Sequence, residues 1–589
     1  MRILLSWLRE FVEIRESPQE LADALTMAGM AVDAVASEDG ETVFEFDITS
    51  NRPDAMNHFG MAREVAAIYR RRLRKPPASF AESGPPASAA ASVEIQDPDS
   101  CARYVGRVFT DIEVAPSPAW MRRRLELCGI RSINNLADLT NYVLLELAQP
   151  THAFDLDTLA GSAIVVRRAR DGEALVTLDG ERRELSAEHL AICDAEKPVA
   201  LAGVMGGQAT EIRAGTRNVL LEAAWFRPRT IRNAARGFKL FTEASHRFER
   251  GADRNAAPWA ADRIAALLGQ TGAGRIAPGR IDCFPQPPQL HRIRLERASI
   301  RRHLGVEVAD AEVQEILAAL GFEPVADESG WARPAVPHRL DVHREIDLIE
   351  EIARIYGFAK IPATLPLVGA APAPTPLAAE DAHMRAAVRR LGYDETIGFP
   401  FISSAEAERF GATAGASLRN PLSQHWDVLR TSSVPTMMRA LEWNLRRNQP
   451  HIRLAEFGRT YRKSAGGYEE PRILTLGASG TDRLPSWAAP ARAVGFYDLK
   501  ADVTALLAAF LAGPPGIVPD GLPPYYRRKH AAGLSADGEL LAWFGQLDPG
   551  LASERKIRQP VWLAEIFLDP VYRMGLRQPG HRKLAKVPA

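Results

Sequence analysis

The apolar positions change period along the chain, and each change predicts an element. Ser17-Pro18-Gln19-Glu20 reads as a capping box with proline at the first helical position, so a helix is expected to run to about Ala28 and to stop at Gly29. Phe44, Phe46 and Ile48 then alternate with Glu45 and Asp47, the period of a half-buried strand. "SNRPDAMNHFGMAREVAAIYR" (50–70) follows as a turn and a second helix. Val313, Ile316, Leu317 and Leu320 recur at helical spacing, with Asp310 as the expected N-cap and Gly321 as the stop. Leu348, Ile349, Ile352 and Ile355 form one side of another helix, starting near Ile346. "NVLLEAAWF" (218–226) is a strand-like apolar run interrupted by one carboxylate, Glu222.

Composition and punctuation divide the chain into a multidomain α+β protein. A length of 589 residues allows roughly three to five domains. A helix-and-strand module occupies 1–75, and a Pro/Ala/Ser-rich linker follows at 76–92. Residues 93–280 mix short strands, glycine turns and helices, and "PQPPQ" (285–289) marks the next boundary. A small unit spans 290–360, a second Pro-rich linker 361–380, an α+β block 381–575 and a tail 576–589. Basic and acidic residues balance at 73 each, so any nucleic-acid contact must rest on local patches. Cys101, Cys128, Cys193 and Cys283 form no CxxC pair, which points to a reducing, cytoplasmic setting. No uninterrupted apolar stretch is long enough for a membrane span.

Three stretches carry candidate chemistry. His152 in "AQPTHAFD", taken alone, fits a hydrogen-bonded structural histidine. Glu222 must be paired, hydrogen-bonded or functional, because an unpartnered buried carboxylate is costly. "GVMGG" (203–207) is a turn that lets backbone approach a ligand closely. The stretch 227–250 has seven Lys or Arg against two Glu, with Phe238, Phe241 and Phe248 interleaved, a composition suited to phosphate contact and base stacking. "DVHREIDLIEEIARIYGF" (341–358) holds five acids, of which Asp347, Glu350 and Glu351 share a helix face. Like charges so placed need a cation or an arginine, and all-oxygen ligation suits a hard cation.

Several of these stretches, with "LSWLREFV" (5–12), "NNLADLTNYVLLELAQPTHAFDLDTL" (134–159), "LAGVMGGQATEI" (201–212), "TEASHRFERGAD" (242–253) and "LRTSSVPTMMRALEWNLRRN" (429–448), resemble bacterial phenylalanyl-tRNA synthetase β subunits, in order over almost the whole chain. The resemblance implies a B3/B4-type editing domain at 93–280, a B5-type domain at 290–360 and a degenerate class II synthetase-like antiparallel-sheet core at 381–575. It implies an α subunit as partner in an α2β2 ligase that uses ATP to charge tRNA(Phe). This chain would add proofreading of tyrosine mischarged onto that tRNA. His152 would stand beside the ester, with Thr140, Asn141, Ala202 and Gly206 around the substrate. Glu222 would meet the tyrosine hydroxyl, which a ring-packing synthetic site cannot reject strongly. Asp341, Asp347, Glu350 and Glu351 would ligate one Mg²⁺ per β subunit, leaving Glu345 a solvated bystander. "RLAEFGRTYR" (453–462) echoes an ATP-binding strand of active class II enzymes, but no later Gly-rich strand ending in arginine completes it. Two departures stand out. "VASEDGET" (35–42) replaces the usual oligonucleotide-binding barrel, and the chain stops about where a ferredoxin-like anticodon-binding domain would begin. These departures keep two other readings open, a stand-alone Tyr-tRNA deacylase and a non-enzymatic RNA-binding scaffold.

Overall fold

The computed structural model describes residues 1–287, 292–334, 336–366, 369, 373–411, 415–484, 486–511 and 513–577. Parts of the expected 285–289 boundary, the 361–380 linker and the 576–589 tail lie outside the described residues. The chain forms two units, residues 1–366 and 367–589.

In the first unit the capping box closes as its sequence dictates. Ser17 Oγ accepts from the Glu20 N–H at 3.3 Å, and Glu20 Oε2 accepts from the Ser17 N–H at 2.9 Å. The helix runs Pro18–Met27. Strands β1 (Arg2–Leu4), β2 (Ala31–Glu38) and β3 (Glu41–Asp47) form a sheet in the order β1-β3-β2. Phe44 and Phe46 of β3 are buried and Glu45 and Asp47 exposed, while Ile48 lies one residue past the strand. Asp39 and Gly40 join β2 to β3 with φ of +49° and +78°. This is the two-residue hairpin geometry that needs left-handed backbone at both positions. Residues 36–42 are therefore the tip of a closed hairpin.

Three longer strands frame the middle of the unit: β4 (Cys101–Thr110), β5 (Thr151–Asp155) and β6 (Val219–Phe226). β6 lies between β4 and β5, antiparallel to both. Every residue of β6 is buried because the strand separates two cores. Val219, Leu221 and Ala223 pack with Trp7, Phe44 and the helix Ala256–Thr271. Leu220 and Ala224 pack with Tyr104, Phe154 and a second five-stranded sheet, in which Met205–Gly206 forms one edge and Ser92–Ile95 the other. A strand covered on both faces reads as a continuous apolar run, as this one does.

The segment 292–360 packs the helices Asp310–Ala319 and Glu345–Tyr356 against a three-stranded sheet, around Val313, Ile316, Trp331 and Ile352. Asp310 is not the N-cap; Ala309 is. The Asp310 carboxylate instead accepts from Arg297 Nε at 2.8 Å, an ion pair that competes with capping. In the second unit a seven-stranded sheet, antiparallel but for the short strand Asp394–Glu395 at one edge, carries helices including Val434–Leu445 and Phe496–Leu507. Among the described residues no helix is long and apolar enough to cross a membrane.

Candidate functional site

Strand register brings Glu222 and His152 together. Glu222 on β6 lies directly opposite His152 on β5 and Gly106 on β4. Opposed residues share a sheet face, here the face of Leu220 and Ala224. Both line a cavity of about 80 Å³, with Gly203, Val204, Gly206 and Phe248 among its other walls.

Glu222 is 5% exposed and has no cation bonded to it among the described residues. The Tyr104 hydroxyl donates to its Oε2 at 3.1 Å. Burial pushes the carboxyl up to about 8, with the Tyr104 hydrogen bond opposing the shift. It is therefore mostly protonated near neutral pH. The His152 Nε2 is shielded from solvent and has no hydrogen-bond partner among the described residues. Burial lowers this imidazole to about 4, so it is neutral near pH 7. Its ring stands edge-on to Phe154, with centroids 4.5 Å apart. A Cβ on residue 206 would fall 2.4 Å from His152 Cε1 and 2.6 Å from Nε2, so the turn can pass the ring only as glycine. The result is a neutral acid, a neutral imidazole and close-approaching backbone around one small cavity. Such a site suits a ligand that carries a hydroxyl into an apolar wall.

Three further expected residues are placed differently. Ala202 is buried in the core of the second sheet and is not among the cavity walls. Thr140 and Asn141 sit half-buried on the helix Asn135–Leu147, also outside that lining, and Thr140 Oγ1 donates to the Ala137 carbonyl at 2.7 Å. Tyr104 was not expected. In the sequence it is one aromatic in an apolar strand, and only the cross-strand register reveals its partner.

Three family models match consecutive parts of the chain: the B3/4 domain over residues 100–273, the tRNA synthetase B5 domain over 293–358 and the phenylalanyl tRNA synthetase beta chain CLM domain over 361–568. A phenylalanine–tRNA ligase beta subunit from Anaeromyxobacter dehalogenans is 39% identical over 568 residues, covering 93% of this chain and 70% of that protein. Its counterpart from Geobacter sulfurreducens is 38% identical over 536 residues, covering 89% and 67%. The chain belongs to the phenylalanine–tRNA ligase beta-subunit family. The Glu222–His152 cavity lies in its B3/4 domain, and the expected metal ligands lie in its B5 domain.

In the B3/4 domain the basic stretch is only partly available to nucleic acid. Phe248 is buried in the core, and Phe238 packs on His189 with ring centroids 4.7 Å apart. Phe241 alone of the three aromatics is largely exposed, at 75%. Arg229, Arg232, Arg236 and Lys239 face solvent, whereas Arg247 is buried and donates to the Met56 carbonyl.

The acids of the B5 domain are not gathered for a metal. Glu351 is 2% exposed and accepts from Arg339 at 2.8 Å and from Arg354 at 2.5 Å. Arg354 reaches on to Glu64 at 2.5 Å, and Glu64 also accepts from Arg52 at 2.5 Å. Asp341 accepts from Arg339 at 2.9 Å and from Asn51 at 3.2 Å. Burial would raise the Glu351 carboxyl, but the Arg354 and Arg339 guanidiniums overcome this and hold it at about 2. Asp347 closes the start of its helix, accepting from the His343 and Arg344 N–H groups at 2.9 and 2.8 Å. Glu350 points to solvent. Among the described residues no group of three or more His, Cys, Asp or Glu is placed to hold a metal ion. Asp341, Asp347, Glu350 and Glu351 thus do not fit a shared magnesium site as arranged, because guanidiniums and helix N–H groups already occupy the oxygens of Asp341, Asp347 and Glu351, and Glu350 points away to solvent. Glu345 is no bystander either: its Oε1 accepts from the Glu296 N–H at 2.8 Å, tying helix to sheet.

In the CLM domain, Glu456 of "RLAEFGRTYR" is buried and accepts from Arg430 at 2.5 Å and from Thr436 at 3.3 Å. A Cβ at Gly458 would fall 2.3 Å from Arg430 Nη2. The chain's own side chains fill the space over this strand.

Proposed function

We propose that this chain proofreads within the ligase, its B3/4 cavity hydrolysing tyrosine wrongly joined to tRNA(Phe). The observation that carries this reading is the buried carboxyl of Glu222, with no cation on it among the described residues, in cross-strand register with His152, whose Nε2 has no hydrogen-bond partner among them. A tyrosine phenol can exchange hydrogen bonds with Glu222. A phenylalanine ring leaves that carboxyl unanswered in an apolar wall, which disfavours its binding. Water adds to the ester carbonyl, the bond to the ribose oxygen breaks, that oxygen takes up a proton, and free tyrosine and tRNA leave. An imidazole held at about 4 is a weak base near pH 7. His152 therefore acts by orienting the ester or the water through Nε2 rather than by holding a proton.

The ATP-dependent charging step we assign to an α subunit in an α2β2 assembly with tRNA(Phe), consistent with a CLM strand filled by Arg430 and Glu456. Hydrolysis of purified Tyr-tRNA(Phe) by the assembled ligase tests the editing reading. Glu222→Ala and His152→Ala should each reduce the rate at least tenfold. Unchanged rates in both variants would refute the assignment.

A further inference from the structure

We propose that Tyr104 is a specificity-setting positioning residue, pinning one oxygen of Glu222 so that the other alone is offered to the substrate's hydroxyl. The inference rests on the editing reading above and deepens it. A glutamate side chain ends in two equivalent oxygens on flexible torsions, and a pocket that discriminates by one hydroxyl needs one of them aimed. β4 supplies that constraint. Tyr104 is two residues from Gly106, the position opposite Glu222, and therefore shares the sheet face of Glu222. Its ring is fully buried among Phe154, Leu220 and Ala224. From there its hydroxyl donates to Glu222 Oε2 at 3.1 Å. No hydrogen bond to Oε1 is present among the described residues, and Glu222 is a wall of the cavity. Tyr104 is thus a resident phenol on one oxygen, and the mischarged amino acid brings a second phenol to the other.

The arrangement also bears on rejection. If both oxygens were bare, phenylalanine would face the full penalty of an unanswered carboxyl, but the carboxyl could turn away from the cavity and escape it. Held by Tyr104, it cannot turn, so the free oxygen stays in the path of the ring.

The test uses the assembled ligase with Tyr104→Phe, Glu222→Gln and the double variant. Each is assayed on Tyr-tRNA(Phe) and Phe-tRNA(Phe), and free L-tyrosine and L-phenylalanine binding is measured alongside. Tyr104→Phe keeps the buried ring and removes one hydrogen bond. It should lower kcat/KM for Tyr-tRNA(Phe) about tenfold, the scale of one such bond. Preference for tyrosine over phenylalanine should fall in both hydrolysis and binding. The double variant should be no slower than Glu222→Gln alone, because both changes act through one contact. The alkaline limb of the pH–rate profile should move upward in Tyr104→Phe, since the hydrogen bond that opposes the upward shift is gone. If Glu222→Gln loses selectivity while Tyr104→Phe keeps it, or if the two effects simply add, Tyr104 has no such role. If Glu222→Gln itself retains selectivity, the editing reading fails first.

Discussion

Two buried carboxylates of this chain, Glu222 and Glu351, have similar exposure and opposite electrostatics. Glu351 sits between two guanidiniums and is held at about 2. Glu222 has only a phenol hydrogen-bonded to it among the described residues, and burial pushes it to about 8. The first is charged and fully answered from within the fold, so nothing is left over for a ligand. The second is neutral and half-answered, beside a cavity and across from an imidazole whose Nε2 has no partner. Burial therefore says little about whether an acid is structural or functional. The partners the fold supplies decide it. Two histidines repeat the contrast. His58 is fully buried with both nitrogens engaged, to the Leu145 carbonyl at 2.9 Å and the Leu4 N–H at 3.1 Å, whereas His152 leaves Nε2 open.

The largest expected effect lies on the structural side. Arg354→Leu strands Glu64 and Glu351 without one of their cations. Removing one partner of a buried pair should cost about 3–5 kcal/mol in unfolding free energy, read by denaturant titration of the full chain. Low pH should attack the same network. The folded-state pKa of Glu351 is depressed, so its contribution is complete above about 4.5 and is lost as pH falls toward about 2.

Glu222 should behave with the reverse sign. Its folded pKa is raised, so between about 4.5 and 8 the folded state binds the proton that the unfolded state has lost. Stability should then fall as pH rises through that window, by at most about 1.4 kcal/mol per pH unit from this group. Glu222→Gln should remove the slope, leave the stability near pH 4.5 within about 1 kcal/mol of the parent chain, and still abolish tyrosine selectivity. A Glu222→Gln variant as damaged as Arg354→Leu would erase the distinction between the two acids.

Gly206→Ala places a methyl against the His152 ring, so hydrolysis of Tyr-tRNA(Phe) should drop sharply, and the melting temperature should fall too, because overpacking of this kind costs about 1–3 kcal/mol. Magnesium should have the smallest effect. Because arginines already neutralise Asp341 and Glu351, chelation with EDTA should leave the melting temperature of the chain unchanged. A clear drop would mean that the acids regroup around a cation.

The sequence exposed the functional side of this contrast better than the structural side. Glu222 was visible because it breaks an apolar run, and the fold explains the run as a strand between two cores. The two-residue hairpin at Asp39–Gly40 was visible as a gap too short for a domain. The B5 acids look different in the fold from their reading in the sequence, for a physical reason. Their spacing along one helix is local, but the arginine network that answers them is not: Arg354 meets Glu64 across 290 residues of sequence. Asp310 has the residue type of a cap, but its ion-pair partner, Arg297, lies on another element and does not show in the local sequence. Tyr104 escaped notice because a tyrosine in a strand is ordinary, and only antiparallel register shows that its hydroxyl meets Glu222.

The most direct measurement of the central claim is the infrared difference spectrum of the intact chain against Glu222→Gln, followed through pH and on adding free amino acid. A protonated carboxyl band should be present at pH 7, titrate near pH 8, and shift on adding L-tyrosine but not L-phenylalanine. A band that titrates in the ordinary carboxylate range, or that ignores tyrosine, would show that Glu222 is as fully answered by the fold as Glu351 is.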